Sequence, residues 1–156
     1  MSIQIRRWRP DDSVAIHQLF HASVQQLAAE HYSAEQRAAW ASPQLDLPFW
    51  QQRLAQTRPW IAEIEQRLAG FAELIPADSY IDCIYVHPDH AGRGVGSALL
   101  EHLLSEARSL GLRRLDVDVS ETALPLFRKF DFAQLQPNRL ERNGIELVNW
   151  RMQKQL

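Results

Sequence analysis

Three glycines at alternate positions, Gly92, Gly94 and Gly96, stand in the run VHPDHAGRGVGSALL (86–100), where a strand-like apolar segment gives way to an amphipathic helical pattern. One or two glycines suffice for a turn, so this much bare backbone at a strand-to-helix junction calls for another reason. A helix start presents unpaired N–H groups and a partial positive charge, which attract phosphate. Glycine keeps side chains out of the way and supplies the dihedrals that aim successive N–H groups at one point. Arg93 adds a fixed positive charge there. Val95, Leu99, Leu100, Leu103, Leu104 and Leu110 form the apolar set expected to seat the helix on a sheet, and Gly111 ends it.

Two other phosphate-binding turns fit less well. A nucleotide P-loop needs Lys-Ser or Lys-Thr after its glycines, and neither follows. A dinucleotide fold would find its ribose-binding acid near Asp116. Its turn, however, follows the strand almost directly, whereas His87 to Ala91 intervene here, and too little chain remains for its second half.

The flanking pattern gives the architecture. Ile3 to Arg7 alternates as a strand, and Pro10 with Asp11 and Asp12 opens a helix striped by Val14, Leu19, Phe20, Val24 and Leu27. Ser33 and Gln36 form a capping box for a helix carrying Trp40, and Pro48 opens another through Leu54. WIAEIEQRLAGFAELIP reads as two strands joined near Glu65 to Arg67, and YIDCIYV as a third. After the glycine-headed helix come a strand, RRLDVDVS, and a short helix from Leu124 to Phe130. Last is a hairpin, ERNGIELVNWRM, turned by Asn143 and Gly144 in type I′ geometry. The expectation is an α/β (α+β) domain spanning 1–156, with a mixed, mostly antiparallel sheet of about seven strands carrying helices.

Composition narrows the function. A formal charge of −2 gives no global pull toward nucleic acid or an anionic membrane. No run of apolar residues is long enough to span a bilayer, and MSIQIRRWRPDD lacks a signal-peptide core. Cys83 is the single cysteine, which excludes an internal disulfide and fits a reducing cytoplasm. The six histidines show no zinc spacing, so no metal is expected.

YVHPDHAGRGVGSALL resembles the signature of the GNAT superfamily of acyl-CoA-dependent N-acyltransferases, a Val-x-Pro strand end followed by Gln/Arg-x-x-Gly-x-Gly/Ala at a helix start. Ala91 stands where the family usually has Gln or Arg. HYSAEQRAAWA, YIDCIYVHPDH and VSETALPLFRKFDF resemble the YafP-like branch of that superfamily, and the likeness covers essentially the whole chain. The resemblance implies the acetyltransferase fold with helices on both faces of the sheet. It also implies acetyl-CoA as donor and a primary amine as acceptor, on a small molecule or a protein. The Tyr80 to Val86 and Arg114 to Ser120 strands would splay around pantetheine, paired to backbone of Ile84, Tyr85 and Val86. Ala91, Gly92, Arg93, Gly94, Val95, Gly96 and Ser97 would line the pyrophosphate. Neither nucleic acid nor membrane is implied as partner, and a homodimer is left open.

Direct attack of the amine on the thioester requires a base, donors for the oxyanion and a route for the leaving thiolate. Strand alternation puts Tyr80, Asp82, Ile84 and Val86 on one face and Cys83 on the other. By the resemblance that face lines the cleft, with Asp82 as leading base or cation contact, Tyr80 beside it, and the Val86 N–H as oxyanion donor. An ordinary carboxyl, at about 3.9, is too acidic to deprotonate an ammonium efficiently, so burial or a relaying water is needed. Relatives place a Tyr acid where this chain has Phe127, which leaves Ser120, Tyr85, water or no acid; thiolate is a tolerable leaving group. Ser120 is equally a helix cap or a CoA contact, and Phe127 packs in the core or on pantetheine. His31, Tyr32 and Trp40 are acceptor-site candidates, with core packing the competing role for Trp40. The departures at Ala91 and Phe127 also fit a catalytically weak CoA-sensing or partner-binding module of the same fold.

Overall fold

The computed structural model describes residues 2–156. Its alternating segments form one seven-stranded sheet in the order β1-β2-β3-β4-β5-β7-β6. The strands are β1 (Ile3–Arg7), β2 (Trp60–Ile64), β3 (Arg67–Ile75), β4 (Tyr80–Val86), β5 (Arg114–Ser120), β6 (Ala133–Arg142) and β7 (Ile145–Gln155). Every neighbouring pair is antiparallel except β4 with β5. The expected hairpin turn closes β6 and β7, with Asn143 and Gly144 both at positive φ (52° and 78°). Pro137, paired with Trp150, lies on β6, the edge strand, where a sheet tolerates proline.

Helices cover both faces. On one, α4 (Val95–Ser109) buries Val95, Leu99, Leu100, Leu103 and Leu104 among Ala72, Leu74, Ile81, Val117 and Met152. Leu110 does not join them: it lies beyond the last helical turn and is 51% exposed. On the other face, α1 (Ser13–Leu27) and α3 (Leu47–Thr57) bury Ile16, Leu19 and Leu54 against Ile61 and Phe71. Val14, assigned above to the α1 stripe, is 40% exposed, and Ile16 holds the inward position instead. The shorter α2 (Ala34–Trp40) begins at the Ser33–Gln36 capping box, and α5 (Leu124–Lys129) follows β5.

Two irregularities of β4 shape the centre. Its ladder with β5 consists of Tyr80–Asp116 and Ile81–Val117 alone, so the strands part beyond that point as expected. Against β3, Leu74 pairs with Ile81 and Glu73 with Cys83, which leaves Asp82 as an extra residue in a β-bulge. The bulge corrects the face assignment made from alternation. Ile81, Ile84 and Val86 pack toward α4, whereas Cys83 and Tyr85 pack toward α1 and α3. Asp82 shares the Cys83 side: one nitrogen, Nη2 of Arg53 on α3, contacts both Asp82 Oδ2 (3.0 Å) and Cys83 Sγ (3.4 Å).

Candidate active site

The parted strands open a cavity of about 520 Å³ that reaches from the β4–β5 gap to the space under α2 and α3. Tyr80, Asp82, Ile84, Tyr85, Ser120, Phe127, Tyr32 and Trp40 all line it. Val86 is on the same strand, while the 91–97 segment lies at the loop and N-terminus of α4. His31 does not line the cavity; it is exposed, with its ring Nδ1 3.2 Å from Thr122 Oγ1.

At the α4 end the site is built from backbone. Gly92 and Gly94 have φ of 76° and 83°, conformations that side-chain-bearing residues rarely adopt, and a Cβ on either would enter open space. Gly96 has a different reason: its Cβ would come within 3.1 Å of Leu126, so glycine lets α5 close on α4. The first helical bond of α4 runs from the Ala98 N–H to the Gly94 carbonyl, which leaves the preceding N–H groups without helical acceptors. Lys129, unnoticed in the sequence, donates to Ser97 Oγ (3.2 Å) and brings a cation to the same turn. Positive φ, clear space, helix-start N–H groups and the charges of Arg93 and Lys129 suit a diphosphate. Along β4, the His87 N–H donates to the Ala69 carbonyl, and antiparallel alternation carries the N–H groups of Ile84 and Val86 to the other edge, facing the gap. Free strand edge in a slot of this kind suits the amides of pantetheine.

At the far end the site is built from side chains. Glu73, fully buried on β3, accepts from Arg53 Nη2 (2.7 Å) and Thr57 Oγ1 (2.5 Å). Burial pushes the Asp82 carboxyl above its ordinary range; Arg53 opposes the shift and the nearby Glu73 charge adds to it. That is the direction a base for an ammonium needs. The Cys83 thiol is driven well up by burial and by Glu73, so it is held protonated and a poor nucleophile. Glu73, Asp82 and Cys83 offer ligand atoms within 4.8 Å of one another, but Arg53 already supplies the cation at that point.

Across the gap, Asp118 on β5 accepts from Tyr80 Oη (2.7 Å), Asn138 Nδ2 (2.7 Å) and Arg151 Nε (2.9 Å). The Tyr80 phenol is raised, by burial first and then by its bond to Asp118. Ser120 Oγ accepts from the Ala123 N–H (3.3 Å), capping the turn into α5 while still lining the cavity. Phe127 is 2% exposed, edge-on to Phe132, and touches the cavity from within the core. Tyr32 is fixed by bonds to the Val148 carbonyl and the Glu121 N–H, and Trp40 Nε1 donates to Tyr85 Oη (3.2 Å).

Known proteins show the same frame. Residues 28–154 match the model of the acetyltransferase (GNAT) domain. The chain is 36% identical over 151 residues to the uncharacterized N-acetyltransferase YafP of Escherichia coli (strain K12), covering 97% of this chain and 95% of that protein. It belongs to the GNAT acetyltransferase family. A GCN5-related N-acetyltransferase from Rhodopseudomonas palustris superposes with a TM-score of 0.93 at 37% identity, covering 100% of this chain and 97% of that one. The GNAT fold is shared too by yncA from Salmonella typhimurium, solved with acetyl-CoA (TM-score 0.76, 20% identity, 99% and 94% covered). Among the described residues no helix is long and apolar enough to cross a membrane.

Sequence reasoning missed Arg53, Glu73, Trp50, Asp118 and Lys129. For Glu73 a signal was present, a carboxylate inside the apolar run AGFAELI, which is seldom buried without a partner. Arg53 carried none, because only the fold brings α3 over β3 and β4.

Proposed function

We propose that this GNAT chain transfers an acetyl group from acetyl-CoA to a primary amine, with Asp82 as the group that receives the amine's proton. The observation that carries the assignment is the bulge at Asp82, which puts a half-buried carboxylate of raised pKa at the mouth of the β4–β5 gap. Acetyl-CoA, when bound, supplies the acetyl carbon and a thiol leaving group. Gly92, Gly94, Ser97, Arg93 and Lys129 hold its diphosphate end, and the free edge of β4 holds its amide arm. The Val86 N–H faces the same gap and is the donor for the thioester oxygen. Asp82 both attracts an ammonium and, once it has taken the proton, leaves a neutral nitrogen able to attack. Tyr80 and Ser120 shape the gap around it. A cytoplasmic setting belongs to the same reading, supported by a free Cys83 that needs no oxidising compartment.

Following free thiol from purified protein, acetyl-CoA and a broad amine panel tests the assignment directly. Acceptor-dependent release that disappears in Asp82→Ala is the expected result. A second reading, a CoA-binding module without turnover, has one observation in its favour: Phe127, buried and without a proton to give, stands where related enzymes carry an acid. A Tm raised by acetyl-CoA with no thiol release from any amine would establish that reading instead.

A further inference from the structure

The acceptor end has two properties that do not follow from acetyl transfer itself. The first is a charge count. Arg53 meets Glu73 and Asp82 through the same nitrogen, so one guanidinium faces two carboxylates. Glu73 is fully buried and holds both Arg53 and Thr57. The other carboxylate of the cavity, Asp118, is matched by Arg151, and the remaining arginine lining the cavity, Arg142, lies exposed at the outer end of β6. Among the carboxylates and guanidiniums inside the rim, one negative charge is therefore in excess beside the transfer point; His17, the other basic residue lining the cavity, packs edge-on against Trp50.

The second property is the wall. Phe71, Tyr85, Phe20 and Trp50 form a continuous series of ring contacts, with centroids 5.6, 4.9 and 5.5 Å apart, edge-to-face between Tyr85 and Phe20 and tilted at the other two. Trp50 continues to Phe49 at 6.3 Å, and Phe49 is 55% exposed at the cavity's lip. Trp40 leans on Tyr85 from the other side. An exposed aromatic at a cavity's lip, continuing a part-buried aromatic series that starts from buried Phe71, is surface waiting for an apolar partner.

We propose, on the N-acetyltransferase reading above, that the acceptor is an arylalkylamine: a cationic amine on a short chain bearing an aromatic group, with no carboxylate beside the nitrogen. The ammonium offsets the excess charge at Asp82, and the ring lies on the Trp50–Phe49 wall. A carboxylate next to the amine, as in an amino acid, restores the excess charge and meets the Glu73–Asp82 pair.

The test measures thiol release from acetyl-CoA with tryptamine, tryptophan and ethylamine at matched pH. Tryptamine should exceed each of the others by about a hundredfold in kcat/KM. Phe49→Ala, at an exposed position that leaves folding intact, and Trp50→Leu should each cut the preference for tryptamine over ethylamine by about tenfold. Tryptophan turned over as well as tryptamine overturns the charge argument, and ethylamine turned over as well overturns the wall; either result leaves the acetyltransferase reading standing. Acetylation of protein amines with tryptamine ignored has the same meaning. No thiol release from any amine overturns both readings together.

Discussion

The two ends of the candidate site are made from different materials. The cofactor end uses main-chain N–H groups of α4 and the free edge of β4, positioned by glycines whose neighbours in sequence are also neighbours in space. The acceptor end uses side chains from α2, α3, β3, β4 and the β6–β7 hairpin, brought together only by folding. A backbone site tolerates almost any side chain that points away and fails when one points in. A side-chain site can be retuned one residue at a time. The contrast fits a protein that keeps its donor fixed and varies its acceptor.

The largest effect is therefore expected from crowding the backbone end. Gly94→Glu puts a carboxylate where a Cβ meets no protein atom, so the fold survives at a cost of about 1–2 kcal/mol for the left-handed backbone. The diphosphate meets a like charge and a blocked space, and acetyl-CoA affinity should fall by about a thousandfold or more. Isothermal titration with acetyl-CoA checks this, and unchanged affinity would remove the cradle from the argument.

At the side-chain end, Asp82→Asn should lower kcat by about a hundred- to a thousandfold with acetyl-CoA affinity unchanged. Its pH dependence sharpens the point. The folded carboxyl of Asp82 is raised above its unfolded value, so it holds its proton more tightly when folded. Keeping it ionised at neutral pH opposes stability, and that cost is relieved as pH falls through the raised value. Activity moves the opposite way, because the base is lost in the same range. The wild-type acid limb should lie above the ordinary carboxylate range and vanish from the residual rate of Asp82→Asn, while the variant's Tm stays level or rises. A lower Tm would instead mark Asp82 as a structural partner of Arg53.

Glu73→Gln, one strand away, should show the reverse pattern. Its carboxylate is fully buried and bonded to Arg53 and Thr57, so loss of the charge should destabilise by about 3 kcal/mol, read as a lower urea midpoint at unchanged slope. Acetyl-CoA affinity should not move.

This difference in material also explains what the sequence could reveal. The cradle was legible because strand end, Pro88, glycines and helix stripe are contiguous, and the fold followed from periodicity around them. Asp82 lies beside Tyr80 in the cavity as expected, but its sharing a face with Ile84 and Val86 and opposing Cys83 was misread, because period two assumes an unbroken ladder and the bulge against Glu73 and Leu74 has no single-residue signature. Arg53 and Trp50 look like ordinary members of a solvent-facing helix until α3 is seen lying over β4. Phe49 looks the same, and its exposure acquires meaning only beside the cavity.

Tyr80→Phe is expected to have the smallest effect and probes the border between the two ends. The phenol donates to Asp118, a carboxylate that also accepts from Asn138 and Arg151, so three bonds remain after the hydroxyl is removed. A proton held by a carboxylate and raised by burial is poorly placed for transfer to a departing sulfur, whose own thiol pKa lies near 8.5. Thiolate can leave unassisted at neutral pH, which makes a tyrosine acid dispensable. Tyr80→Phe should thus reduce kcat less than about fivefold and stability by about 1 kcal/mol, the ordinary worth of one hydrogen bond. A hundredfold fall in kcat with an altered alkaline limb would instead make the phenol the proton donor, and the acceptor end would then hold both the base and the acid.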